Sequence, residues 1–73
     1  MDRDDIQRLA ELLLHRSGHH TTFRLVSVEA GENSWIIVLE HPKEGEIEVF
    51  LLKKAIDDLE NSFRRQIESV VAA

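Results

Sequence analysis

The sequence predicts an α+β fold: a two-layer sandwich in the order helix, three-stranded antiparallel meander, helix (αβββα), with both helices on one face of the sheet. Three observations lead there. Apolar residues recur at helical spacing through the first 18 residues and again from about Lys53 onward. Between them lie three short stretches rich in β-branched and aromatic residues. The links between those stretches, "GEN" and "PKEG", are short enough for antiparallel hairpins. No linker, repeat or low-complexity stretch divides the chain, so residues 1–73 are read as a single domain.

The first helix is carried by "MDRDDIQRLAELLLHRSG", with Ile6, Leu9, Ala10 and Leu13 on one stripe. Asp2 and Asp5 supply a capping signal where acids suit the positive end of the helix. His15 and Arg16 fall in its last turn, and Gly18 stands where a left-handed residue would close it. Strand one is read in "HHTTFRLVSVEA", whose alternation sets Phe23 and Leu25 against Arg24, Val26 and Val28. "SWIIVLEH" is the second strand and "EIEVFLL" the third. In the third, Ile47, Val49 and Leu51 share one face, while Phe50 joins Glu46 and Glu48 on the other. The last helix places Ile56, Leu59, Phe63, Ile67 and Val70 on a stripe, with both charge signs behind it.

The second strand carries an anomaly. Trp35, Ile37 and Leu39 point one way and Ile36 and Val38 the other, so both of its faces are apolar. Two helices cover one face of so small a sheet. If that face holds Phe23, Leu25, Trp35, Ile37, Leu39, Ile47, Val49 and Leu51, the other presents Val26, Val28, Ile36, Val38 and Phe50. A slip of one residue would exchange the faces of the second strand, but either choice leaves branched or aromatic side chains uncovered. A contiguous apolar patch of that kind marks association. The competing reading is that long glutamate and arginine stems from neighbouring strands cover it.

The formal net charge of -5 is not spread evenly. Acids and bases balance through Arg24, and they balance again from Lys53 to the end. The excess lies between, where Glu29, Glu32, Glu40, Glu44, Glu46 and Glu48 face Lys43 alone. No cysteine is present to form disulfides or thiolate metal sites. The longest apolar runs, "WIIVL" and "LLL", fall far short of a membrane span, and "MDRDD" lacks the features of a signal peptide. A soluble cytoplasmic protein of marginal core size, stabilised by packing or by association, is expected.

Chemistry is sparsely marked. The four histidines are His15, His19, His20 and His41, and "HRSGHH" invites a metal reading. The spacing opposes it, because His15 ends a helix while His19 and His20 fall in a turn and on alternating sides of a strand start. No serine stands in the context of an activated nucleophile, and the glycines are isolated, so no phosphate-cradling loop is expected. We therefore expect no enzyme, metal, cofactor or small-molecule substrate.

The element order, together with "LKKAIDDL" at the start of the last helix, resembles the double-stranded RNA-binding domain. That resemblance implies a basic surface for phosphates, whereas this chain is acidic, most of all in its strands. Direct nucleic-acid binding is not expected. In size, charge and element order the chain is also similar to small phage-encoded anti-CRISPR inhibitors, some of which occupy the nucleic-acid groove of a nuclease. That similarity implies Glu40, Glu44, Glu46 and Glu48 as phosphate-mimicking groups. The expected function is protein association: an acidic meander docking on a basic protein surface through those four glutamates and Val26, Val28, Ile36, Val38 and Phe50. The alternative is a structural homodimer formed by sheet faces or edges, or a designed domain with no evolved ligand, to which the agreement of local signals also points.

Overall fold

The computed structural model describes residues 2–54 and 58–71. Its elements are helix α1 (Arg3–Ser17), strands β1 (Arg24–Ala30), β2 (Ser34–His41) and β3 (Gly45–Leu52), and helix α2 (Leu59–Val71). The strands form one antiparallel sheet in the order β1-β2-β3. Both helices pack on the same face, since one cluster of buried residues joins Ile6, Ala10, Leu13 and Leu14 of α1, Leu59, Phe63 and Ile67 of α2, and the inner side chains of the sheet. This is the expected αβββα sandwich.

Local chemistry sets the boundaries of α1. Asp2 accepts a hydrogen bond from the Asp5 backbone N–H while the Asp5 side chain accepts from that of Asp2, a reciprocal cap on two otherwise unpaired donors. At the other end Gly18 takes the left-handed conformation (φ 79°), and its N–H and that of His19 close back on the carbonyls of His15 and Leu14. The chain then turns rather than extends: the N–H groups of Thr22 and Phe23 both donate to the His19 carbonyl. β1 accordingly begins at Arg24, not in the "HHTT" stretch whose threonines suggest a strand.

β2 settles the face question. Trp35, Ile37 and Leu39 lie against the helices, joined by Phe23, Leu25, Ile47, Val49 and Leu51. β1 departs from simple alternation. Leu25 pairs with Leu39, but the next pair is Ser27 with Val38, so Val26 is an extra residue in a β-bulge. Beyond the bulge the faces of β1 are exchanged, and Val28 turns inward beside Ile37, 2% exposed. Its expected place on the outer, partner-binding face is thus corrected: Val28 belongs to the core.

The last helix does not begin at Lys53, where the sequence reading places its start. The Lys53 N–H donates to the Asn33 carbonyl, extending the β2–β3 ladder, and its Nζ donates to the Gly31 carbonyl at 2.7 Å while lying over the Trp35 ring. These contacts hold Lys53 at the sheet end. Leu59, Phe63 and Ile67 of the stripe are buried and Val70 packs against them; Ile56 lies outside the described residues. An ion pair between Arg16 and Glu60 joins the two helices at the surface.

Candidate functional site

The outer face of the sheet is built by register. Across its three strands run the rows Arg24–Glu40–Glu46, Ser27–Val38–Glu48 and Glu29–Ile36–Phe50, with Ser34 beside Leu52 at the end and Val26 raised on the bulge opposite Val38. Directly opposed residues share a face, so Glu40, Glu46 and Glu48 gather toward one end of this surface and Ile36, Phe50 and Leu52 toward the other, with exposed Glu29 at its β1 margin.

At the acidic end Glu40 and Glu46 stand directly opposite each other, an arrangement that repels unless compensated. Arg24 compensates one of them, holding Glu40 through Nε and Nη2 at 3.2 and 2.9 Å. The other ion pairs among the described residues join Arg16 and Arg64 to Glu60 and Arg65 to Asp58. Glu44, Glu46 and Glu48 therefore stand exposed with no cationic partner among the described residues. Glu44 belongs to the β2–β3 turn. That turn is held by the His41 Nδ1, which accepts from the N–H groups of Lys43 and Glu44 at 3.1 Å each, and by Gly45 at φ 79°. The negative group is thus fixed on an ordered hairpin.

At the apolar end the burden has shifted from the central strand to the edge. Val38, flanked on both sides by neighbouring strands, is only 9% exposed, and Ile36 is half-buried. Phe50, in contrast, is 47% exposed, Leu52 58% and Val26 40%. Of the residues expected to bind a partner, Val26, Phe50, Ile36 and the four glutamates share one accessible surface or its rim. Val38 lies on that face but is nearly sealed, and Val28 is on the other side. Leu52 belongs to the patch and was missed, although its period-two relation to Phe50 already carried the signal.

The edge of β3 is equally informative. The Gln66 carboxamide of α2 accepts from the Phe50 N–H at 2.9 Å and donates to the Phe50 carbonyl at 2.8 Å. Both backbone groups point away from β2, where a fourth strand would lie. Gln66 is steadied by Ser62 one turn earlier, whose Oγ accepts from its Nε2. Beside it runs a groove of about 610 Å³ lined by Glu48, Phe50, Ser62, Arg65, Gln66 and Ser69. The only sequence hint of Gln66 was a polar residue directly beside the α2 stripe.

The histidines gather at the far end of α1. His15 and His20 stack with ring centroids 4.2 Å apart, and the Phe23 ring touches both His19 and His41. Near-parallel rings do not aim their nitrogens at one point, and no group of three or more metal-ligating side chains converges among the described residues. Of the two lysines in "LKKAIDDL", Lys53 is engaged by Gly31 and Trp35. No described helix is long and apolar enough to cross a membrane.

Compared with protein families, characterised proteins and solved structures, the chain matches none. The functional reading therefore rests on the outer face itself.

Proposed function

We propose that this chain is a non-enzymatic protein-interaction module whose outer sheet face docks on a basic surface of another protein, of the kind that nucleic-acid-handling proteins present. Occupying such a surface would inhibit its owner. One observation carries the reading: exposed Glu44, Glu46 and Glu48, without cationic partners among the described residues, border exposed Phe50 and Leu52 along β3 and its turn. Clustered carboxylates accelerate encounter with a cationic patch, and apolar side chains beside them supply the contact area that holds it. Glu46 and Glu48 stand two residues apart on a paired strand, roughly 6.7 Å along it, so they form a row that needs little ordering on binding.

Differential capture tests this. Immobilised wild-type chain, a Glu40/Glu44/Glu46/Glu48→Gln variant and a Phe50/Leu52→Ser variant are exposed in parallel to lysate of the source cell, at low and high salt. The reading predicts a basic protein retained by the wild type, weakened by salt, and lost from both variants. Equal retention of the same proteins by the glutamine variant would reject it.

A further inference from the structure

We propose that the free edge of β3 accepts an extended segment of the basic partner as a fourth, antiparallel strand, and that Gln66 holds the place of that strand until it arrives. The proposal rests on the docking reading above and adds the mode of recognition.

The backbone alternation of β3 fixes which groups are available. Lys53 donates toward β2, and Phe50 is bonded outward to Gln66, so the even-numbered residues face the open edge. Glu46, Glu48, Phe50 and Leu52 thus present four N–H and four carbonyl groups in a row, and among the described residues the pair at Phe50 is the one bonded to a side chain. A carboxamide has the same donor and acceptor as a peptide group, and Gln66 binds Phe50 in the bidentate manner of a paired strand. An arriving strand replaces those two bonds with two of its own kind and adds those at Glu46 and Glu48. The opposite edge is less suited, because the bulge at Val26 interrupts the regular repeat of β1.

Charge decides the occupant. A second copy pairing through β3 would set Glu48 against its own counterpart in one register, and in the register that engages Leu52 as well it would set Glu46 against Leu52 and Glu48 against Phe50. The first register opposes like charges and the second gives the carboxylates no cation, so charge gives a second copy no advantage. A segment with lysine or arginine opposite Glu48 and Glu46 meets the reverse situation. Read from its N-terminus, that segment carries an apolar residue opposite Phe50, a basic residue opposite Glu48 and another opposite Glu46, each separated by one residue. This is strand addition in which main-chain bonds supply affinity and alternate side chains supply selectivity.

The probe is a blocked, fluorescein-labelled peptide with the core valine-threonine-lysine-threonine-lysine. Its control has identical side chains but N-methyl groups on the valine and both lysine amides, which removes the pairing donors and leaves the charge. Fluorescence anisotropy with the full chain should show the control binding at least about tenfold more weakly, the loss of roughly 1.4 kcal/mol or more. Amide exchange at Glu46 and Glu48 should slow when the unmethylated peptide is bound. Gln66→Ala, which removes the competing carboxamide, should tighten binding of the peptide, and Glu46→Lys with Glu48→Lys should abolish it. Equal binding of both peptides would overturn strand addition while leaving charge-driven docking intact. Binding of neither would overturn it as well, and the capture experiment then judges docking separately.

Discussion

The two faces of β2 carry similar side chains and meet different fates. On the inner face Ile37 and Leu39 are wholly buried beneath two helices. On the outer face Ile36 is half-buried and Val38 nearly sealed, with no helix above them. A central strand is shielded by its neighbours whatever lies above it, so the apolar character of β2 on both sides is largely a property of its central position. The true surplus is on the flanks, at Phe50 and Leu52 of β3 and at Val26 on the bulge of β1. Burial on the inner face stabilises the fold, whereas the exposed outer side chains are available for a partner.

Substitutions can break or sharpen this contrast. The largest effect is expected from the two valines of β1 that the bulge separates. Val28→Asp places an unpaired carboxylate in the core and should cost about 3–5 kcal/mol, enough to unfold so small a domain. Val26→Asp, two residues earlier but exposed, should change stability by no more than about 0.5 kcal/mol in the same urea titration. The next effect contrasts the faces of β2: Ile37→Ala should cost about 2–5 kcal/mol, and Ile36→Ala about 1 kcal/mol. Equal costs would mean that the outer face is packed as tightly as the inner one. His41→Ala, which removes the acceptor shared by the Lys43 and Glu44 amides, should cost about 1 kcal/mol and speed amide exchange in that turn. A comparably small effect is expected from Arg24→Ala, which leaves Glu40 and Glu46 opposed without compensation. Its pair with Glu40 is exposed, so thermal unfolding should report a loss of only about 0.2–1 kcal/mol.

Much of this molecule is legible in its sequence because local and global signals agree. The cap residues Asp2, Asp5 and Gly18, the α1 stripe, Leu59, Phe63, Ile67 and Val70 of the α2 stripe, and β2 and β3 all appear where their chemistry places them. What escaped depends on contacts between distant segments. Thr21 and Thr22 favour strands by composition, but the left-handed Gly18 and the His19 carbonyl draw that stretch into a turn. The bulge at Val26 reverses the side of Val28 without any glycine or proline to announce it. Lys53 reads as the start of a helix and is instead tied to Asn33 and Gly31 across the sheet end. Gln66 takes its meaning from the approach of α2 to β3, which no single segment encodes. The acidic half of the candidate face was legible from charge placement alone. Of its apolar half, Val26, Ile36 and Phe50 lie on the expected face, whereas Val28 turns into the core, Val38 is nearly sealed and Leu52 joins the patch.

The most direct measurement separates folding from binding at those two residues. Thermal unfolding of the Phe50→Ser, Leu52→Ser double variant should stay within a few degrees of wild type, while capture of the proposed basic partner is lost. A variant that melts far below wild type, or one that folds normally and still retains that partner undiminished, would contradict the assignment of this face to binding.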